Sequence, residues 1–213
     1  MSDFREFIAK IKDDYDYGTY IATFRSLFIT ILFTIYNGIL GSIHSSVWYV
    51  SICLYYSLLI LLRFSITFIE HLAKKNQDLS EAFRRNSFII LSVFLIILNI
   101  CLIGPFALMV KQESPVNMTL IPAIAMAAYT FYKLTMSGIH FKKSRQSQDV
   151  LIRLARLINL IDALFSIVVL QTTLIMVASG SSNMFPVAAL SSAMIWVFIM
   201  ILSIRNMVVE LRR

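Results

Sequence analysis

Lys133, Asp162 and Arg63 lie inside long apolar runs, and they are the side chains of this sequence best placed for chemistry. Lys133 sits in "AAYTFYKLTMS", residues 127–137. A charge in hydrocarbon costs about 2.5–3.5 kcal/mol on insertion scales, so each must find a partner, face a polar interior or snorkel to the surface. Asp162 can neutralise one of the two cations, which leaves the other uncompensated. Tyrosines gather nearby: Tyr55 and Tyr56 precede Arg63, and Tyr129 and Tyr132 flank Lys133. The amides Asn37, Asn99 and Gln171 add polar interior in other runs. A surplus cation among phenol hydroxyls can hold an anion, either the carboxylate or phosphate of a solute or a lipid headgroup. The competing reading is a structural ion pair with a snorkelling lysine, and the sequence leaves both open.

Other chemistry finds little support. His44, His71 and His140 fall at different ends of the apolar runs, with no HExxH and no paired cysteines or carboxylates, so no metal site is assigned. "GSIHSS" and "ASGSSN" place Ser45, Ser46, Ser181 and Ser182 in turns near His44, but no GxSxG accompanies them. Serine-rich turns are the ordinary explanation. No Walker loop, GxGxxG or aspartate-rich headgroup-transferase signature is present, so no catalytic residue and no cofactor is assigned. Cys53 and Cys101 lie within apolar runs and give no disulfide framework.

The elements that carry these residues follow from composition. The chain has 213 residues, 58% of them hydrophobic, and a mean hydropathy of +0.77. That exceeds what a soluble core can bury. The apolar residues form blocks of about twenty, the length of helix that crosses roughly 30 Å of hydrocarbon. The blocks are roughly 26–43, 47–69, 87–110, 118–139, 157–179 and 184–204. Runs such as "FIILSVFLIILNICLI" do not alternate as barrel strands would. The expected fold is all-α: a polytopic membrane protein of six transmembrane helices over 21–213, preceded by a cytoplasmic amphipathic segment over 1–20. In that segment Phe4, Phe7, Ile8 and Ile11 recur at helical spacing, and Gly18 is expected to break the helix before the first span. The first twenty residues are polar and charged, so insertion is expected through the spans themselves.

Charge sets the orientation. The net charge is +7, but its distribution points to membrane topology rather than to nucleic acid. Lys74, Lys75, Arg84 and Arg85 fall between spans 2 and 3, with Arg63 ahead of them in the inner part of span 2, and Lys142, Lys143, Arg145, Arg153 and Arg156 fall between spans 4 and 5. Arg205, Arg212 and Arg213 close the chain, whereas the alternate loops hold only Lys111 and Glu113. The positive-inside rule then places both termini in the cytoplasm. Short outer loops and longer basic inner loops make three successive hairpins. Amides at Asn37, Asn99 and Gln171, each followed by a glycine, and the basic residues Arg63, Lys133 and Arg205 admit a threefold repeat. Interhelical glue explains the amides equally well.

Depth relates the two central charges. Lys133 lies nine residues before Lys142, roughly 13 Å along a helix, and Asp162 six after Arg156, roughly 9 Å. Both therefore fall in the inner half of the bilayer, within about one helical turn of each other, on consecutive antiparallel spans. A Lys133–Asp162 ion pair is geometrically allowed, with Arg63 as the alternative partner.

"AAYTFYKLTMS" in the fourth span, "SSVWYVSICLYYSLLILLRF" in the second and "LQTTLI" in the fifth resemble a family of small six-span membrane proteins of Gram-positive bacteria, to which no function is assigned. The resemblance implies a bacterial plasma-membrane protein and supplies no ligand or catalytic residues. In size, span number and inside termini the chain also looks like the substrate-binding subunits of energy-coupling-factor vitamin transporters. The expected function is binding or transport of a small, anionic solute or lipid. The alternative is an interaction or accessory protein of the immunity type, and a lipid-modifying enzyme is third. Expected partners are the bilayer, that solute or lipid, and either further copies of the chain or a transporter subunit.

Overall fold

The computed structural model describes residues 15–44, 47–75, 81–103, 120–144, 149–178 and 185–212. They form helices α1 (Tyr15–His44), α2 (Val47–Lys75), α3 (Glu81–Cys101), α4 (Leu120–Ser144), α5 (Val150–Ala178) and α6 (Phe185–Leu211). Helix is the form in which an apolar segment satisfies its own backbone donors and acceptors away from water. Pro122 and Pro186 fall in the first turns of α4 and α6, where a missing N–H costs little. Four stretches are long and apolar enough to cross a bilayer: Tyr49–Leu72, Phe83–Cys101, Val150–Ile175 and Ala189–Leu211. α1 holds a shorter one, Leu27–Ile43. The apolar run of α4 is interrupted by Thr130, Lys133, Thr135 and Ser137, and the helix has Lys142 and Lys143 in its last turn. Large apolar side chains point outward at helical spacing, among them Leu32, Ile35 and Ile39 on α1, Leu61, Phe64 and Phe68 on α2, and Leu190, Met194 and Val197 on α6. Such a belt suits lipid. The chain is an all-helical, multi-pass membrane protein.

α5 is the axis of the bundle, in contact with all five other helices. Of its apolar stretch 67% is buried, against 22% for that of α6. Leu154, Ile158, Ile161 and Phe165 of α5 are fully enclosed and pack with Ile52 and Leu59 of α2, Leu95 and Leu98 of α3, and Ile199 of α6. The Phe165 ring lies 4.2 Å from that of Tyr55 and 5.7 Å from that of Tyr56, centroid to centroid. α1 lies antiparallel to α2, and close approach there depends on glycine. A Cβ on Gly41 would come within 3.0 Å of Val50 Cγ2 and 3.1 Å of its backbone nitrogen, and one on Gly38 within 3.3 Å of Cys53 Sγ.

The architecture corrects the sequence reading at several points. α1 runs unbroken through Gly18, because one interior glycine costs a helix only about 1 kcal/mol. Residues 1–14 lie outside the described residues. α5 begins at Val150 rather than near 157, which takes Arg153 and Arg156 out of the expected loop and buries both in the bundle. Spans 3 and 4 do not pack together as a hairpin among the described residues. α4 packs on α5, and α3 on α2, α5 and α6, because α5 offers apolar surface on every side. The three amides make different contacts. Asn37 donates to the Phe33 carbonyl of its own helix at 2.7 Å, Asn99 joins α3 to α6, and Gln171 joins α5 to α6.

Candidate functional site

Asp162 stands near the middle of α5, fully buried, and its two oxygens face different cations. Oδ2 accepts from Arg63 Nη2 of α2 at 2.5 Å. Oδ1 accepts from Lys133 Nζ of α4 at 2.7 Å. The antiparallel packing of α5 against both α2 and α4 brings the three to one level. Hydroxyls complete the arrangement. Arg63 Nη1 donates to Thr30 Oγ1 of α1 at 2.6 Å, and Lys133 Nζ donates to Ser166 Oγ at 2.9 Å. Ser166, one turn beyond Asp162, donates in turn to the Asp162 carbonyl at 2.8 Å. One carboxylate thus holds two cations, and four helices meet at a cluster in which the ion pairs seen among the described residues set two positive charges against one negative.

A cavity of about 20 Å³ adjoins Lys133, between α1 and α4, lined in part by Thr30, Phe33, Tyr56, Tyr129 and Thr130. That is room for about one water molecule. An ammonium has three donors, and Asp162 and Ser166 take two. Thr130, only 2% exposed, presents a buried Oγ1 with no hydrogen-bond partner among the described residues. The Tyr129 ring centroid is 5.9 Å from Lys133 Nζ, within the range of a cation–π contact. α1 packs mainly on α2, and α4 packs on α5. The cavity lies where α1 and α4 face each other, each packed chiefly on another helix.

The structure brings Lys133, Asp162 and Arg63 together, with Tyr56 and Tyr129 beside them. Tyr132 does not join them. It is 54% exposed, because it lies about 100° around the helix from Lys133, whereas Met126, Tyr129 and Thr130 share the inward face. Asn37 and Asn99 are buried but lie in separate contacts. Asn99 Nδ2 donates to Ser203 at 3.0 Å, and the Asn99 backbone carbonyl accepts from Trp196 Nε1 at 2.8 Å. Gln171 accepts from Ser191 at 3.0 Å. Ser45, Ser46, Ser181 and Ser182 lie outside the described residues. Cys53 and Cys101 are free thiols, and no cluster of potential metal ligands occurs among the described residues.

Sequence reasoning missed the partner hydroxyls and a further set of charges on α5. Ser166 was readable as the residue four beyond Asp162, and Thr130 as the residue three before Lys133. Thr30 carries no such signal. At the basic end of the bundle Arg153 pairs with Glu210 at 2.5 Å and Asp149 with Arg84 at 3.1 Å. The antiparallel register that sets Arg63 beside Asp162 also puts buried Glu70 of α2 level with buried Arg156 of α5. Arg153 and Arg84 thus each face an acid of their own, whereas Arg63 and Lys133 share one.

No family model, no curated protein and no solved structure matches this chain.

Proposed function

We propose that the protein binds a small anionic solute at the Arg63–Asp162–Lys133 triad and passes it across a bacterial plasma membrane, with both termini in the cytoplasm. The observation that carries this reading is the pairing of two cations with one carboxylate among the described residues, set beside a small, mainly apolar cavity into which the Thr130 hydroxyl, without a hydrogen-bond partner among those residues, opens. A buried cation without its own counter-charge is costly, and an anion in the cavity offsets that cost. The donors available to it are the third ammonium N–H of Lys133 and the Thr130 hydroxyl. As it stands the cavity takes a species of halide size, and a carboxylate requires α1 and α4 to part along their seam. A partner subunit or further copies of the chain supply any driving force. The second reading is an accessory protein in which the triad only fixes four helices, and the small size of the cavity favours it.

Lys133→Met separates the two. It leaves Arg63 and Asp162 as a neutral pair, so the fold is retained while the surplus charge disappears. Thermal stability of the purified protein in chloride or formate, measured against gluconate, should rise for the natural chain and stay flat for Lys133→Met. A folded Lys133→Met variant that keeps the anion effect, or a natural chain that shows none, defeats the anion reading.

A further inference from the structure

A second and larger cavity, about 400 Å³, opens at the basic end between the ends of α4, α5 and α6. It shares no residue with the triad. One part of its lining is apolar, from Phe141, Leu202 and Val209, and the other is polar, from Ser144, Arg205 and Asn206. Arg153 and Glu210, also in the lining, neutralise each other. Arg205 is exposed and makes no ion pair among the described residues, so the net charge of the lining is its own. The Asn206 Nδ2 donor is buried and has no acceptor among the described residues. Lys142 and Lys143, exposed, flank Phe141 and Ser144 on the last turn of α4. Arg205 stands six residues before Leu211, roughly 9 Å from the helix end, the level at which a guanidinium meets lipid phosphates. Ile139, Ile204 and Val208, on the outward faces of α4 and α6, continue the apolar part of the lining onto the lipid-facing surface.

We infer that this cleft is a binding site for the phosphate headgroup of an anionic phospholipid. Arg205 and Asn206 donate to the phosphate oxygens, Lys142 and Lys143 supply long-range attraction, and the first acyl carbons lie against Phe141, Leu202 and Val209. A free phosphate compound would use the same donors but gain nothing from the apolar wall. A zwitterionic lipid would gain the wall but bring no net charge to Arg205.

Native mass spectrometry of the delipidated, purified protein tests this, with phosphatidylglycerol, phosphatidylcholine and glycerol phosphate added in turn. Phosphatidylglycerol should be retained at concentrations where phosphatidylcholine is not, and Arg205→Gln should weaken retention about tenfold, the loss of one charge-assisted hydrogen bond. Asn206→Leu should weaken it less, and both variants should melt within a few degrees of the natural chain when no lipid is added. Lys133→Met should retain phosphatidylglycerol normally, which keeps the outcome separate from that at the triad. Equal retention of phosphatidylcholine, unchanged retention in a folded Arg205→Gln variant, or displacement of the lipid by equimolar glycerol phosphate would each overturn the assignment.

Discussion

Asp162 and Lys133 are not symmetrical partners, although a simple ion pair would make them so. Removing the carboxylate charge leaves two buried cations facing each other, whereas removing the ammonium leaves a neutral pair. Breaking a buried ion pair costs about 3–5 kcal/mol because the remaining charge is stranded. Asp162→Asn should therefore abolish the monodisperse folded species seen by size-exclusion chromatography, while Lys133→Met should elute as the natural chain does. Equal damage from both changes would mean that the cluster behaves as a single pair without surplus charge. The charges themselves were legible because an ionised group in an apolar run is conspicuous, and counting residues to the nearest basic cluster fixes its depth. Thr30, Thr130 and Ser166 were not, because a hydroxyl within a membrane helix can bond its own i−4 carbonyl and so leaves no mark of a special site. Tyr132 shows the reverse error: nearness in sequence to Lys133 stood in for position on a helix face.

The helices show why hydropathy reveals spans but not neighbours. In water a helix that is apolar all round must be buried. In a bilayer the same composition suits a central helix and a lipid-facing one, and α5 and α6 are both apolar around most of their circumference. Their burial of 67% and 22% thus follows from packing that no periodicity records. Small residues are the better sign of contact, since they let backbones approach. A Cβ on Gly41 would come within 3.1 Å of the Val50 backbone nitrogen, whereas one on Gly138 would meet nothing within 4 Å. Gly41→Ala should destabilise the α1–α2 pair by about 1–3 kcal/mol, as overpacking does, and Gly138→Ala should gain up to about 1 kcal/mol from helix propensity. Unfolding midpoints in detergent check both, and a neutral Gly41→Ala would mean that the α1–α2 contact leaves room for a methyl group.

Over the molecule as a whole, charge is divided by depth. Arg84, Asp149, Arg153 and Glu210 meet at one end of the bundle, and Arg85 donates to the Leu211 carbonyl there at 3.4 Å. The described residues of the opposite end, where Gly41 meets Val50 and Gln171 meets Ser191, include no Asp, Glu, Lys or Arg. An excess of arginine and lysine resists transfer across the membrane during insertion, so the charged end should stay in the cytoplasm. His71, on the last turns of α2, and Ser42, near the end of α1, are both exposed and mark the two ends. In a background of Cys53→Ala and Cys101→Ala, Ser42→Cys should react with a membrane-impermeant maleimide on intact cells, and His71→Cys only after permeabilisation. The opposite pattern would place the Arg205 cleft on the outer face and turn the triad toward the outer half of the bilayer. The path proposed for the anion would then run from a polar cytoplasmic end to a basic exterior, against the distribution of charge that the rest of the bundle supports.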